Sequence, residues 1–343
     1  MAAREIVLGQ IGLGSWGPNL LRTFGETPGC RIARVADLDE ARFRSLPSGD
    51  APPAFSRDYR DVLRDPAVDA VVLATPSETH FPIGRAALAA GKHLFVEKPL
   101  ALSSREGKRL ADLARAKGRV LMVGHLLMYH PAIEAMALLV RKGKIGRIRH
   151  LAIRRRAFGR LAAGCGVLWD LGPHDISIAL MVTGLPAGAV SSVARGFIQA
   201  AHPEVSYTAI SLAGGVFATI EESWLAPGRE RQLLAVGDRG MLLFDELATD
   251  GAPLKHFAKR IRAHRRGGAS SFEYLDGGAS AVPVSMEPPL GAECREFIAC
   301  VRRGREPRSG GANGVAVLRV LEAAVASQRA GGREVRVKGG ATA

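Results

Sequence analysis

Glu5–Arg22 reads EIVLGQIGLGSWGPNLLR: an apolar run, then Gly12-x-Gly14-x-x-Gly17, then a segment able to turn helical. Ile6, Val7, Leu8 and Ile11 supply the near-continuous apolar text of a strand buried on both faces. Gly12 permits a tight turn, Gly14 lets backbone approach a pyrophosphate, and Gly17 lets a helix pack close to the strand. Pro18 suits a first helical turn, whose free N–H groups and positive dipole end attract phosphate. The intervening Ser15 and Trp16 belong to the same phosphate-facing loop. A glycine-rich loop without a ligand is the bland alternative.

What lies about twenty residues on decides between the two. Arg31–Asp37 (RIARVAD) reads as a second strand ending in a carboxylate. Asp37 is placed to accept hydrogen bonds from an adenosine ribose and would repel a 2′-phosphate, which favours NAD over NADP. Arg34 and Arg42 are the nearby cations that argue the other way.

The chain has 343 residues, 47% of them hydrophobic and 23% charged, enough for two domains with a large core. No stretch approaches the roughly twenty apolar residues of a membrane span. Met1-Ala-Ala-Arg-Glu runs straight into the first strand without a signal peptide's apolar core, so a cytoplasmic location is expected. Cys30, Cys165, Cys294 and Cys300 form no CxxC pair, and the nine histidines include no HExxH or similar ligand set, so no metal is expected. Reduced, incidental thiols are the simpler reading; a reactive Cys165 is the minor one. The formal charge is +14, but the basic residues are dispersed, with clusters only at Arg154–Arg156 and in KHFAKRIRAHRR (255–266). Aromatic residues make up 6% and do not interleave with those clusters, as a single-strand stacking surface requires. A solvated basic face is the main reading, an anionic small substrate the second, and nucleic acid the last.

Through residue 127 strand and helix patterns alternate, as a doubly wound parallel sheet demands. Val68–Thr75 is a strand stopped by Pro76, Ile83–Ala90 a helix ended by Gly91, and Lys92–Glu97 a strand. Ser103–Lys117 is a Ser-capped helix and Arg119–Gly124 a further strand. Residues 128–343 read as a second, α+β domain. Pro131–Lys142 is helix-like, Leu151–Phe158 strand-like, and a helix is expected from about Pro173 to Val182. Gly214-Gly215 joins two strands, of which the second turns Val216, Ala218 and Ile220 to one face; Gly237–Gly240 joins two more. Successive hairpins mean a mostly antiparallel sheet. Residues 249–290 read as irregular, Pro289–Arg303 as a helix, and Asn313 as the cap of a last helix.

In an open parallel sheet the ligand crevice lies beyond the carboxyl ends of the strands. Thr75-Pro76 with His80, Glu97-Lys98-Pro99 and Gly124-His125 occupy such positions. An ammonium partly removed from water there can exchange protons near neutrality, which makes Lys98 the leading candidate; a surface lysine paired with Glu97 is the plain alternative. The Lys98-Pro99 bond is one where cis is cheap. The second candidate is LWDLGPHDI (168–176), where four-residue spacing stacks Asp170 and His174 one helical turn apart. A carboxylate there can orient an imidazole for proton transfer, or Asp170 can simply cap a helix over a structural histidine. His80, His125, Tyr129 and His130 are lesser candidates.

GLGSWGPNLLR, VADLD, ATPSETHFPIGRAALAAGKHLFVEKPLA, VGH and WDLGPHDISI together resemble the glucose–fructose oxidoreductase / inositol dehydrogenase / rhizopine-catabolism (Gfo/Idh/MocA) family, as do EPPLGAECREFIACVRRGREP and VLRVLEAAVASQRAGG near the end. The resemblance implies an N-terminal Rossmann domain and a C-terminal domain with a large open-faced sheet used for homodimer or homotetramer contacts. It implies NAD(P)-dependent oxidation of a sugar or cyclitol secondary alcohol, with Lys98, Asp170 and His174 binding the hydroxyls and handling the proton. Gly12, Gly14, Ser15, Trp16, Gly17, Asp37, Thr75, Pro76, His80, Glu97 and Lys98 fall on its cofactor-binding segments. The WDLGPHDI form is similar to members acting on nucleotide-linked sugars at C3 and to sugar-modifying enzymes of antibiotic pathways. His130, where many members have Asn before Pro, departs from the pattern, as do residues 249–290. The rivals are the same scaffold reducing a keto sugar, and a sensor that binds the nucleotide without chemistry.

Overall fold

A computed structural model describes residues 4–46, 52–159, 161, 164–266 and 269–340, the side chains of 265, 266 and 269 excepted. The chain divides into two compact units: Met1–Tyr129 with Glu287–Leu318, and His130–Met286 with Arg319–Ala343.

The first unit opens with β1 (Ile6–Ile11), α1 (Gly17–Glu26), β2 (Cys30–Ala36), α2 (Glu40–Arg44), β3 (Ala54–Ser56) and α3 (Tyr59–Arg64). It continues through β4 (Ala70–Leu73), α4 (His80–Ala89), β5 (His93–Glu97), α5 (Ser104–Ala116) and β6 (Leu121–Gly124). The six strands form a parallel sheet in the order β3-β2-β1-β4-β5-β6. Leu8, Val71, Val72, Leu73, Leu94, Phe95 and Val96 are fully buried, which is why these strands read as apolar runs rather than alternations. The strand order reverses between β1 and β4, so the crevice expected of such a sheet opens past Ile11 and Leu73. Ser103 caps α5 as expected, its hydroxyl accepting from the Glu106 N–H at 3.2 Å.

The second unit carries α6 (Pro131–Arg141), β7 (Ile148–Phe158), α7 (Val167–Thr183), β8 (Ala187–Arg195), β9 (Val205–Leu212), β10 (Val216–Ser223), β11 (Leu225–Gly237), β12 (Met241–Asp245), β13 (Leu254–Arg266) and β14 (Ala269–Ala281). In chain order α8 (Pro289–Arg303), α9 (Gly311–Arg329) and β15 (Val335–Arg336) follow, β15 within the second unit. Nine strands form one sheet, β14-β13-β12-β11-β7-β10-β9-β8-β15, antiparallel except for the β7–β10 pair. The two hairpins expected at Gly214-Gly215 and Gly237–Gly240 are β9–β10 and β11–β12. Leu151, Ile153, Ala218, Ile220, Leu233 and Ala235 point to the buried face, where α7 packs on β7, β9 and β10. On the opposite face Val193, Tyr207 and Phe217 are exposed.

Four expectations are corrected. Residues 249–290 are not irregular: β13 and β14 make a long hairpin, with Arg260 opposite Leu275 and Arg262 opposite Glu273. β12 pairs with β13 only as far as Phe257, and Ile261, Phe272 and Tyr274 are exposed beyond it, so no buried face writes a period-two signal into the sequence. The second unit does not hold everything past residue 127, because Glu287–Leu318 returns to the first. Phe297 of α8 lies edge-on to Phe24 and Phe95 at 6.1 and 5.7 Å; the apolar stripe was legible, but not which core it fills. Helix α7 begins at Val167 rather than near Pro173, with the proline inside it. Asn313 sits within the first turn of α9 instead of capping it.

Candidate active site

Past β1, Gly12 adopts a φ of +100°, and a Cβ there would lie 2.5 Å from the Ala74 carbonyl oxygen. A Cβ on Gly17 would lie 2.5 Å from the Gly12 carbonyl oxygen, so the start of α1 and the turn touch through these two glycines. Gly14 differs: a Cβ there would meet nothing within 4 Å. Protein packing does not require a glycine at that position, whereas close approach of a diphosphate does. The first turn of α1 has no side-chain cap and no acidic residue, which leaves its N–H groups and dipole unopposed for an anion. This donor set fits a dinucleotide pyrophosphate.

Gln10 supports the loop from below. It is fully buried in β1, and its Nε2 donates to the carbonyls of Gly12 at 3.1 Å and Gly17 at 2.8 Å. Sequence reasoning passed over it, although a carboxamide in an otherwise apolar strand is a visible signal. Asp37, one residue past β2, accepts from the Leu13 N–H at 2.6 Å and from the Asp39 N–H at 2.9 Å. Both oxygens keep acceptor capacity for ribose hydroxyls, and Arg42 Nη1 stands 3.7 Å from Oδ1.

The strand ends of β4, β5 and β6 assemble the remaining residues of this unit. Thr75 and Thr79 share a 2.6 Å hydroxyl contact, and Thr79 also bonds to the Pro76 carbonyl. His80 is buried, with Nδ1 2.7 Å from the Pro99 carbonyl and Nε2 2.9 Å from the Thr75 carbonyl. It therefore braces two strand-end loops, with both ring nitrogens already engaged. Burial pushes its pKa down, and the two carbonyl partners pull the other way. The Lys98-Pro99 peptide is cis. Glu97 receives the Lys98 backbone N–H at 3.2 Å and a hydrogen bond from the Trp16 side chain, tying the glycine-rich loop to β5. Its carboxylate lies over Gly124, where a Cβ would come within 2.9 Å of Oε1. Burial pushes the Glu97 carboxyl up to about 7 against the pull of Lys98.

His125 is buried without a hydrogen-bond partner on either nitrogen among the described residues, and burial with the Lys98 charge pushes it down to about 3, so it is neutral. Tyr129 bonds to Ser309 at 2.8 Å under the Arg308 guanidinium, and His130 caps α6 through the Ala132 N–H at 3.2 Å. Glu293, on α8, is fully buried, and burial together with the neighbouring Glu97 carboxyl pushes its own carboxyl well above the usual range; the sequence held no signal for it beyond an acid on an apolar stripe.

In the second unit Asp170 and His174 lie on α7 at the expected spacing of one turn. The following residue, Asp175, is fully buried and bonds to the Arg155 side chain of β7, Nε to Oδ1 at 2.8 Å and to Oδ2 at 3.1 Å. Arg155 belongs to the Arg154–Arg156 cluster expected as a solvated basic face, whereas its side chain is largely buried against Asp175, a residue to which the sequence assigned no role. The four cysteines are free thiols, and no His/Cys/Asp/Glu group suited to a metal occurs among the described residues. No described helix is long and apolar enough to cross a membrane.

Residues 6–125 match the family described as "Oxidoreductase family, NAD-binding Rossmann fold", and residues 133–243 match "GFO/IDH/MocA C-terminal domain". The chain is 27% identical to the scyllo-inositol 2-dehydrogenase (NAD(+)) of Bacillus subtilis, over 89% of this chain and 87% of that one. It is 36% identical to the UDP-N-acetylglucosamine 3-dehydrogenase of Acidithiobacillus ferrooxidans over 45% of this chain and 44% of the relative. Several such matches span only about half the length of the curated relatives. A putative oxidoreductase of known structure from Magnetospirillum magnetotacticum is similar throughout: 32% identity, a TM-score of 0.77, and 93% and 99% of the two chains covered.

Proposed function

The chain belongs to the Gfo/Idh/MocA family of oxidoreductases acting on CH–OH groups, and from that premise we propose that it is an NAD-dependent dehydrogenase of a sugar or nucleotide-sugar secondary alcohol, with C3 the carbon oxidised. The observation that carries the cofactor assignment is the contrast among the three loop glycines, of which Gly14 alone has open space where a diphosphate would lie. Asp37, offering two partly used carboxylate oxygens at the end of β2, favours NAD over NADP. Gly12, Gly14, Ser15, Trp16 and Gly17 hold the diphosphate, Asp37 the adenosine ribose, and Thr75, Pro76 and Glu97 line the nicotinamide side, with His80 bracing that side from behind. When bound, the dinucleotide supplies the hydride acceptor.

Lys98, Asp170 and His174 do the remaining work. Lys98 holds the carbinol oxygen with its ammonium, His174 takes the hydroxyl proton at a ring nitrogen, and Asp170 orients the imidazole or a neighbouring hydroxyl. Similarity to a UDP-N-acetylglucosamine 3-dehydrogenase and to an inositol 2-dehydrogenase supports a ring hydroxyl as the reacting group. The same residues serve reduction of a keto sugar, and assays in both directions separate the two. The exposed apolar residues on the open sheet face, Val193, Tyr207 and Phe217, support a homodimer or homotetramer formed through that face. Cytoplasmic location and the absence of a nucleic-acid partner belong to the same reading. Lys98→Ala and His174→Ala variants test the chemistry: each should lower kcat by about 10²- to 10⁴-fold. Unchanged turnover in both contradicts the assignment.

A further inference from the structure

The inward positions of β10 run Val216, Ala218, Ile220 and Glu222, three apolar residues followed by a carboxylate. Glu222 is fully buried, and neither of its oxygens has a hydrogen-bond partner among the described residues. Its register partners are Arg155 on β7 and Ser206 on β9, and the Ser206 hydroxyl is also buried without a partner. The Arg155 guanidinium is already committed to Asp175, with a third contact from Nη2 to Oδ1 at 2.8 Å. Above them lies Gly172, where a Cβ would come 3.3 Å from Glu222 Oε1. The Glu222 carboxyl therefore sits against the turn of α7 between Asp170 and His174.

The charges facing this carboxyl come from two elements, Asp170 and Asp175 from α7 and Arg155 from β7, while Asp175 also feels Arg231 of β11 and Glu246. Arg231 is paired with Glu246 at 2.7 Å, and Arg155 with Asp175. No cation remains for Glu222 among these groups. A buried carboxyl in that position takes up a proton rather than stand as an unpaired charge. Ionised, it would compete with Asp175 for Arg155 and loosen the attachment of α7.

We propose that Asp175, Arg155 and a protonated Glu222 form a buried positioning set beneath α7, which fixes the helix to the sheet and gives the face carrying Asp170 and His174 a single orientation. The ion pair anchors the helix at the residue next to His174. Glu222 carries the proton of the set and fills the space under Gly172, across the β9–β10 register from Ser206. The functional part of this inference rests on the reading of Asp170 and His174 as the groups that handle the carbinol; the protonation and the anchoring do not.

The test uses the full-length protein without substrate. Infrared spectra at neutral pH should show a protonated carboxyl band that Glu222→Gln removes, since glutamine copies the shape of the neutral acid. In protein carrying labelled histidine, the His174 imidazole signals, identified by their loss in His174→Asn, should titrate alike in wild type and Glu222→Gln. Asp175→Asn should displace that titration or split it into two environments. No carboxyl band sensitive to Glu222→Gln, or a His174 titration indifferent to Asp175→Asn, overturns the proposal. Steady-state kinetics with UDP-N-acetylglucosamine and the other candidate sugars add the functional readout. Asp175→Asn should lower kcat by about tenfold to a hundredfold with little change in KM, and Glu222→Gln should keep the wild-type pH profile. Normal turnover in His174→Ala would sink the catalytic reading instead, while the band and the titration still decide the set.

Discussion

The Asp37 carboxylate accepts a 2.6 Å hydrogen bond from the Leu13 N–H, so the acid at the end of β2 holds the glycine-rich loop. In the function proposed above the same side chain meets the adenosine ribose, which would couple specificity and loop geometry. Asp37→Ser should shift preference toward NADP by tenfold or more in the ratio of kcat/KM values, because Arg42, 3.7 Å from the carboxylate, is released to meet a 2′-phosphate. The lost charge-assisted bonds should also cost about 1.5–3 kcal/mol of stability, read from denaturant unfolding. An unchanged cofactor ratio would contradict the role given to Asp37.

The three loop glycines should separate in a simple experiment. Gly14→Ala has open space for its methyl group and should melt within about 0.5 kcal/mol of wild type while losing most of its NAD affinity in calorimetry. Gly17→Ala drives a Cβ to 2.5 Å from a carbonyl oxygen and should lose stability along with affinity. Equal NAD binding by Gly14→Ala and wild type would remove the diphosphate from this loop.

Gln10→Leu tests the brace beneath the loop. Two buried carbonyls, those of Gly12 and Gly17, lose the side-chain donor at 3.1 and 2.8 Å, which should cost roughly 1–3 kcal/mol. KM for NAD should rise several-fold with kcat nearly constant, since the substitution touches only cofactor placement.

Glu97 gives stability a distinctive pH dependence. Burial raises its folded-state pKa from 4.5 to about 7, so the folded chain holds a proton that the unfolded chain has released across that window. This contribution is complete below pH 4.5 and disappears as pH rises through about 7. Glu97→Gln should flatten the stability profile of the cofactor-free protein in that range by roughly 3–4 kcal/mol at most. A variant profile parallel to wild type would show that Glu97 ionises normally.

How far the sequence could be read depends on what each element buries. The parallel sheet of the first unit was legible because Leu73, Leu94 and Phe95 are covered on both faces and the glycine loop admits few alternatives. The β9–β10 and β11–β12 hairpins were legible from one buried face and glycine turns. The β13–β14 hairpin was not, because beyond Phe257 neither face is buried and only backbone pairing defines it. Site residues followed the same division. Lys98, Asp170 and His174 stand at strand ends or helix spacings that the sequence displays. Arg155 and Glu222 become neighbours only through the parallel β7–β10 register, which 66 intervening residues conceal. Glu222 did continue the period-two run of Val216, Ala218 and Ile220 and could have been found there as the one carboxylate on a buried face.

The measurement that bears most directly on the central claim follows the absorbance of reduced nicotinamide when purified protein is given NAD or NADP with UDP- and dTDP-hexoses, free sugars, cyclitols and aminoglycosides. Reduction of NAD by one of these classes is expected, lowered by about 10²-fold or more in His174→Ala and Lys98→Ala. NAD bound tightly but never reduced, and NADH never oxidised by the matching keto sugars, would contradict it and leave a nucleotide-binding sensor in its place.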